Sequence, residues 1–421
     1  MAHDYDVIVA GGGPAGSSTA NFLRQRGRSV LVLERERFPR FHIGESLLPL
    51  CNDVWRELGV FERMDGRYQH KPGAHFVHEE SGAEVIYHFD SAIRPGNPYA
   101  FQVKRAEFDL MLLERAIELG ADVRQETRVE DVEFDADGVT VRASGGLQAR
   151  AKVFVDATGR DALMAGRRAL KEPDELVTTN CAVHTMYAGV QREAGPDGGN
   201  IVLGLFDGGW WWLIPFADGD TSCGMVFEKS FTKIRRGAEP AELMDGALPS
   251  LPHLRARLGG ARRILPVGAQ GNWSYRARRF YDDRLLLVGD AAAFVDPLFS
   301  TGVLFAVQGA RFAAEHLERA LADGDFRAER FAGYQEQCAQ GMDIFKSLVH
   351  EFYGKKLREL LLGSARHPTI CAVITSMLAG DVYKPSLWHA SVRRGFSHLV
   401  DAGGVPGVRS SRQAKPREIV S

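Results

Sequence analysis

A glycine-rich segment near the start of the chain has the spacing that binds a dinucleotide phosphate. A GxGxxG pattern follows the apolar run 6–10, with its glycines at Gly11, Gly13 and Gly16. These glycines permit a tight turn, a close approach of the backbone to a pyrophosphate and close packing of a helix on the sheet. Glu34 ends the next apolar run, where a carboxylate can accept hydrogen bonds from ribose hydroxyls. The pattern therefore predicts dinucleotide binding at the start of a helix.

Later segments indicate which dinucleotide is bound. An apolar run ends in Gly289-Asp290, and a second one ends in an Asp156-x-x-Gly159 turn. Both segments resemble FAD enzymes that are built like the aromatic hydroxylases. The segment 102–109 is similar to the start of the next helix in those enzymes, with Arg105 near the flavin. The resemblance implies FAD as the cofactor, and a second GxGxxG that would indicate a resident NAD(P)H domain is missing from the sequence.

Three further segments go beyond FAD binding. The segment 209–215, GWWWLIP, fits a GWxWxIP pattern and contains Trp210 and Trp212. The segment 294–302 fits FxxPxxSxG and ends in a Ser-Thr-Gly turn, whose backbone N–H groups ahead of a helix can hold an anion. Lys71 precedes a Pro-Gly pair. A buried lysine has a lowered pKa and becomes a nucleophile.

Together these segments resemble the flavin-dependent halogenases, and the pyrrole and phenol type more than the tryptophan type. The resemblance implies that a separate NAD(P)H-dependent flavin reductase supplies reduced FAD, which uses O2 to convert chloride or bromide into hypohalous acid. Lys71 would receive this acid through an internal tunnel and deliver the halogen to an electron-rich ring. Trp210 and Trp212 would separate the flavin from the substrate.

One departure from the family pattern bears on the substrate. Phe299 stands where tryptophan halogenases carry a glutamate that assists the lysine. A more activated ring needs less assistance, so a pyrrole tethered to an acyl carrier protein and a phenol both remain open as aromatic substrates.

The resemblance assigns roles to individual residues. The catalytic residues are Lys71, Trp210, Trp212 and Ser300, and the halide would lie at Ser300, Thr301 and Gly302. The residues expected to bind FAD are Gly11, Gly13, Pro14, Ala15, Gly16, Glu34, Arg35, Gly44, Ser46, Arg105, Asp156, Gly159, Gly289, Asp290, Pro297, Thr301 and Gly302.

Other interpretations of the same residues remain open. An FAD-dependent reductase similar to the prenyl reductases, an aromatic hydroxylase and a non-catalytic flavoprotein would all share the fold. The halogenase hypothesis is distinguished by Lys71 and the tryptophan segment, although a lysine before Pro-Gly is commonly solvated and strand tryptophans are commonly core residues. No metal site is expected, because His75 and His78 would point to opposite faces of a strand.

The elements that position these residues predict an α/β fold. A discontinuous, doubly wound, Rossmann-like FAD-binding domain is expected from residues 1–70, 100–165 and 275–325. Alternating apolar residues predict an inserted antiparallel β sheet on the substrate side, from residues 71–99 and 166–274. Helical spacing then predicts a C-terminal helical region over 326–405, followed by a disordered polar tail over 406–421.

Composition excludes several classes of function. The 421 residues include 52 Lys and Arg against 54 Asp and Glu, so the basic surface that a nucleic-acid partner needs is not expected. The five cysteines form no CxxC pair, which argues against a zinc ribbon and favours a reducing, cytoplasmic compartment. No apolar run is long enough to predict a membrane span.

Overall fold

The computed structural model describes residues 3–93, 96–174, 180–228, 238–271, 274–354, 356–363 and 368–383. The predicted tail over 406–421, and the end of the predicted helical region from 384, lie outside these residues. Among the described helices, none combines the length and hydrophobicity needed to cross a bilayer.

The strands and helices are numbered in chain order. The strands are β1 Tyr5–Ala10, β2 Val30–Leu33, β3 Gln69–Lys71, β4 Gly73–His78, β5 Glu84–His88, β6 Ala100–Gln102, β7 Asp122–Arg124, β8 Val129–Phe134, β9 Val139–Ala143, β10 Leu147–Asp156, β11 Lys171–Pro173, β12 Cys181–Ala188, β13 Ile201–Phe206, β14 Gly209–Pro215, β15 Asp220–Phe227, β16 Arg262–Arg263, β17 Gly268–Gly271, β18 Tyr275–Ala277, β19 Tyr281–Asp282, β20 Leu285–Leu287 and β21 Ala293–Phe294. The helices are α1 Pro14–Gln25, α2 Cys51–Leu58, α3 Phe61–Asp65, α4 Arg105–Glu118, α5 Leu163–Arg167, α6 Pro240–Ala247, α7 Pro252–Arg257, α8 Thr301–Asp323, α9 Ala332–Tyr353, α10 Lys356–Gly363 and α11 Pro368–Leu378.

The first sheet has the order β19-β20-β10-β1-β2-β7, and the β8–β9 hairpin extends it from β10. Strand β1 pairs in parallel with β10 and β2, and β10 pairs in parallel with β20. Helix α1 packs against α4 and α8. The stretches 7–10 of β1 and 153–155 of β10 are apolar and buried, because a parallel sheet with covered faces excludes water from both sides. The predicted doubly wound α/β fold is confirmed.

The second sheet has the order β16-β12-β15-β14-β13-β4-β5, with β17 also pairing to β12. It is antiparallel except for one parallel pair, β4 with β13, which the prediction of an antiparallel sheet did not include. A parallel pair needs a long connection between its strands, and more than a hundred residues separate β4 from β13. The short pair β3–β6 is separate from this sheet.

The second sheet packs apolar side chains on both faces. One face joins the large core under the first sheet and carries Trp210 and Trp212. The other face carries Trp211 and Phe227 and packs against residues of α6 and α7, such as Met244 and Leu254. Successive side chains of a strand point to opposite faces, which explains why three adjacent tryptophans divide in this way.

Candidate active site

A cavity of about 930 Å³ lies where the carboxyl ends of β1, β2 and β10 face the second sheet. Most of the residues predicted to bind cofactor, halide or substrate line it: Gly11, Gly13, Pro14, Ala15, Glu34, Arg35, Gly44, Ser46, Arg105, Gly159, Trp210, Trp212, Asp290, Pro297, Ser300, Thr301 and Gly302. Four predicted residues are not among its lining residues: Gly16, Lys71, Asp156 and Gly289.

The glycine-rich turn has no room for a side chain at Gly11 or Gly16. Gly11 has φ of +104°, and a Cβ atom there would lie 2.3 Å from the carbonyl oxygen of Ala157. A Cβ atom on Gly16 would lie 1.9 Å from the carbonyl oxygen of Gly11. Gly16 therefore acts through packing, while the turn presents the start of α1 to the cavity, where its free N–H groups can bind phosphate.

Glu34 closes the same end of the cavity. Its Oε2 accepts a hydrogen bond from the Gly12 backbone N at 2.6 Å, and its Oε1 accepts one from the Glu36 backbone N at 2.8 Å. Each carboxylate oxygen keeps a further lone pair. Glu34 is thus held rigidly in a position where it can also accept hydrogen bonds from ribose hydroxyls.

Asp156 supports the cavity from behind. Its Oδ1 accepts hydrogen bonds from the backbone N and Oγ1 of Thr158, and its Oδ2 accepts one from the Met164 backbone N at 2.6 Å. These contacts hold the turn that contains Gly159. Gly289, at φ +63°, packs against Ala15 and Ala306. Both residues shape the backbone that faces the cavity.

Other polar groups of the cavity fit a bound flavin. The buried Ser46 hydroxyl has no hydrogen-bond partner among the described residues, and Ser46 lines the cavity. Arg105 is buried and bonded through two nitrogens to Asp109, whose Oδ2 also accepts from Arg40 at 3.0 Å. Burial raises the pKa of Asp290 to about 6, although neighbouring arginines oppose this shift. An unpartnered hydroxyl, a fixed guanidinium and the phosphate-binding turn together fit FAD.

The Ser-Thr-Gly turn has an unusual backbone at its first residue. Ser300 has φ of +58°, in the left-handed region that residues other than glycine seldom adopt. The side chain of Asp296 accepts a hydrogen bond from the Leu298 backbone N at 3.0 Å and so caps the preceding turn. Helix α8 begins at the next residue, Thr301, so its free N–H groups lie at the cavity.

Two glycines on neighbouring strands make room for the tryptophans of β14. Trp212 pairs with Gly224 of β15, and Trp211 pairs with Gly204 of β13. A Cβ atom on Gly224 would lie 2.1 Å from the Trp212 ring, and one on Gly204 would lie 1.8 Å from the Trp211 ring. Each indole therefore lies over the backbone of the adjacent strand. The rings of Trp210 and Trp212 lie 5.8 Å apart and form one wall of the cavity.

Lys71 lies just behind the cavity wall. Its side chain is only 2% exposed, and its Nζ donates a hydrogen bond to the Leu47 carbonyl oxygen at 3.0 Å, one residue beyond the cavity-lining Ser46. The Nζ atom also lies 5.4 Å from the centre of the Phe89 ring. Burial lowers the pKa of Lys71 to about 7, against a small opposing effect of Cys51. The unprotonated amine is therefore accessible near neutral pH.

Sequence reasoning missed several charged residues of the cavity, among them Arg40 and Glu45. Arg40 meets Asp109 across 69 residues, and no local pattern marks that contact. Glu45 stands between two predicted cofactor residues, Gly44 and Ser46, which was the available signal. Its carboxylate accepts a hydrogen bond from Ser222 at 3.1 Å, and burial raises its pKa to about 7.

Glu45→Gln is expected to change how the stability of the apoprotein depends on pH. The pKa of Glu45 rises from 4.5 to about 7 on folding, so the folded state keeps a proton that the unfolded state releases. Between pH 4.5 and 7 the wild type therefore loses about 3 kcal/mol of stability as pH rises, and the glutamine variant avoids this loss. Urea unfolding at pH 5 and pH 8 measures the difference, with the exposed Glu62→Gln as control. Identical pH dependence in Glu45→Gln and the wild type would contradict the shift.

Comparison with known proteins identifies the family. The model of the FAD binding domain family matches residues 4–343. A 1H-pyrrole-2-carbonyl-(peptidyl-carrier protein) chlorinase from Pseudomonas fluorescens is 32% identical over 409 residues, covering 90% of this chain and 90% of that protein. A 1H-pyrrole-2-carbonyl-(peptidyl-carrier protein) brominase from Pseudoalteromonas luteoviolacea is 32% identical over 396 residues, covering 92% and 94%.

Solved structures agree with this assignment. A flavin-dependent brominase superposes with a TM-score of 0.84 at 28% identity, covering 94% of this chain and 99% of that one. A flavoprotein/dehydrogenase from Cytophaga hutchinsonii superposes with a TM-score of 0.85 at 27% identity, covering 95% and 99%. The predicted family, FAD cofactor and use of a halide are confirmed. The chain belongs to the flavin-dependent halogenases, enzymes that bind FAD and halogenate aromatic rings.

Proposed function

We propose that this halogenase acts on a pyrrole ring tethered to an acyl carrier protein, and that hypohalous acid passes from the FAD cavity to Lys71. The buried amine of Lys71 carries this proposal, since its pKa is about 7 and its hydrogen-bond partner follows a cavity-lining residue. Bound FAD, reduced by a partner flavin reductase, supplies the oxidation of halide by O2. The residues of the chain then hold the halide, exclude direct attack on the ring and carry the halogen.

The turn at Ser300–Gly302 is proposed to hold the halide. The first N–H groups of α8 have no acceptor within the helix, and they lie at the cavity. A helix start also carries a partial positive charge, which favours a chloride or bromide ion beside it.

Lys71 is proposed to transfer the halogen. Its neutral amine attacks the halogen of hypohalous acid, an N–halogen bond forms and water leaves; alternatively the amine holds the intact acid by a hydrogen bond. In the first route the N–halogen bond breaks as the ring takes the halogen, and the proton that the ring loses returns to the amine. In the second route the O–halogen bond breaks, and the proton leaves with hydroxide as water. Only the unprotonated amine has the lone pair that the first route needs, which is why the lowered pKa of Lys71 matters.

Trp210 and Trp212 are proposed to keep the ring away from the flavin. Gly224→Ala tests this role, because the new Cβ atom displaces the Trp212 ring at the cavity. Gly204→Ala is the matched control, since it displaces Trp211 on the opposite face of the sheet. Both variants are expected to lose about 1–3 kcal/mol of stability through overpacking. Only Gly224→Ala should lower the amount of halogenated product formed per O2 consumed. An equal decrease of this ratio in both variants would contradict the proposal that Trp210 and Trp212 separate the ring from the flavin.

The carrier-tethered pyrrole is preferred because two relatives that align over nearly their whole length act on such substrates by name. A phenylalanine at position 299 agrees with an activated ring, because the glutamate that would assist the lysine is missing there.

The deciding experiment offers several acceptors to the same enzyme. The protein is incubated with FAD, a flavin reductase, NADH, O2 and either chloride or bromide. Pyrrolyl-loaded carrier protein, free pyrrole-2-carboxylate and a set of phenols are the acceptors, and mass spectrometry detects the halogen. Halogenation of the loaded carrier protein in preference to the free acid supports the proposal. Halogenation of phenols alone contradicts the proposed carrier-tethered pyrrole substrate. Hydroxylated products contradict the proposed transfer of a halogen to the ring.

A further inference from the structure

Tyr353 connects the tryptophan wall to the Ser-Thr-Gly turn. It is the last residue of α9, far in sequence from both features. Its hydroxyl accepts a hydrogen bond from the Trp210 Nε1 at 3.0 Å and lies 3.3 Å from the Asp296 Oδ2, to which it donates. One hydroxyl group thus bonds to a residue of β14 and to a residue of the segment that follows β21.

The bond to Asp296 reaches the turn itself. While Oδ2 of Asp296 accepts from Tyr353, Oδ1 accepts from the Leu298 backbone N at 3.0 Å. The Asp296 side chain therefore joins Tyr353 to the short helix Pro297–Phe299, which leads directly into Ser300 and α8. A shift of this carboxylate would move the turn whose N–H groups face the cavity.

The bond to Trp210 fixes the orientation of the indole. A Trp side chain donates through one atom, Nε1, so its hydrogen-bond partner selects the rotation of the ring. Without the Tyr353 hydroxyl, the Trp210 N–H would lose this acceptor. The loss would occur in a buried site, because the Trp210 side chain is only 2% exposed. A buried donor without an acceptor is unfavourable, so the ring would shift to find another one.

We propose that Tyr353 is a positioning residue for halogenation, which sets the distance between the tryptophan wall and the halide-binding turn. The inference rests on the proposed assignment of the halide to Ser300–Gly302. The Tyr353 hydroxyl bonds to one residue on each side, Trp210 in the wall and Asp296 ahead of the turn, while its chain neighbour Phe352 packs against Phe299.

Tyr353→Phe removes this hydroxyl and keeps the ring. Bromide is titrated into the oxidised, FAD-bound protein, and its dissociation constant is measured from the change in flavin absorbance. We expect bromide to bind about threefold to tenfold more weakly, because the turn loses a contact worth roughly 1 kcal/mol. During turnover, more of the O2 consumed should appear as H2O2 and less as halogenated product, while the dissociation constant of FAD stays within about twofold.

Tyr334→Phe is the matched control. Tyr334 lies on the same helix, and its buried hydroxyl donates to the Leu287 carbonyl oxygen at 2.6 Å, away from the wall and the turn. This variant is expected to lose stability in urea without any change in bromide affinity. If both variants lose stability and neither changes bromide affinity or H2O2 release, Tyr353 is purely structural and the inference is overturned.

The wild-type titration separates this inference from the proposal beneath it. If bromide changes the wild-type flavin spectrum and Tyr353→Phe responds identically, the positioning role alone fails. If bromide does not change the wild-type spectrum at any concentration, the halide assignment is contradicted, and the inference is overturned with it.

Discussion

Lys71→Met is expected to abolish ring halogenation and at the same time to stabilise the protein. Methionine has nearly the length of lysine but no amine, so it cannot carry a halogen, and halogenated product should fall at least a hundredfold. In the wild type, the lowered pKa of Lys71, from 10.5 to about 7, costs about 5 kcal/mol of stability at neutral pH. Lys71→Met removes this cost, but it also leaves the Leu47 carbonyl oxygen without its donor, which offsets about 1–3 kcal/mol of the stability gained.

The gain in stability from Lys71→Met is expected to decrease as pH rises. Because the pKa of Lys71 is lower in the folded state, unfolding takes up a proton between pH 7 and pH 10.5. The cost is therefore complete below about pH 7 and fades as pH rises towards 10.5. Urea unfolding of the apoproteins at pH 7 and pH 9.5 should show the larger gain at pH 7.

Two measurements separate the roles of Lys71. Lys152→Met is the control, since Lys152 forms a partly exposed ion pair with Asp6, away from the cavity, and should alter neither activity nor stability strongly. Hypohalous acid that escapes from the enzyme is trapped with a small reactive diketone, and Lys71→Met should still produce it. If Lys71→Met halogenated the ring as fast as the wild type does, a transfer role for Lys71 would be ruled out. If Lys71→Met were less stable than the wild type, a cost of burying Lys71 would be ruled out.

Gly16→Ala is expected to weaken FAD binding at least tenfold and to cost several kcal/mol of stability. The added Cβ atom would lie 1.9 Å from the Gly11 carbonyl oxygen, a contact that real structures do not contain. Because the obstacle is backbone, relief must move the turn away from α1, and this turn is where we expect the phosphates of FAD to bind. Flavin fluorescence titration measures the affinity, at a urea concentration where circular dichroism shows both proteins folded.

Gly166→Ala is the matched control for this variant. Gly166 also lies within a helix, α5, and a Cβ atom there would meet nothing within 4 Å beyond its chain neighbours and its own helix backbone. It should gain about 0.5–1 kcal/mol of stability, as alanine does in an unobstructed helix, and bind FAD normally. If Gly16→Ala binds FAD as tightly as Gly166→Ala, close packing of the turn is not what the glycine provides.

The local segments of the site could be predicted from the sequence because each one carries its own signal. Glycines at fixed spacing between a strand and a helix, with Glu34 at the end of the next strand, describe one continuous βαβ unit whose geometry is local. The adjacent tryptophans were equally informative, since the alternation of a strand assigns Trp210 and Trp212 to one face and Trp211 to the other.

Residues whose roles depend on distant partners could not be assigned in this way. Asp156 and Gly289 belong to motifs, and the motifs do not show that these residues support the cavity wall from behind. Gly204 and Gly224 read as ordinary strand residues until the register places an indole over each of them. Tyr353 gave no signal, because nothing on α9 indicates that its hydroxyl meets β14 and the turn before α8.

The sequence by itself determined the α/β fold and the dinucleotide-binding pattern, because short-range spacing and buried strands encode them, and its resemblance to known enzymes indicated FAD and the halogenase family. Only the tertiary structure decided the state of the candidate catalytic groups. A lysine before Pro-Gly looks solvated in the sequence, and the fold places it at 2% exposure with a pKa of about 7. Burial, and with it the energy of a charge, is a property of everything that packs around a side chain, and that surrounding comes from residues far apart in the chain.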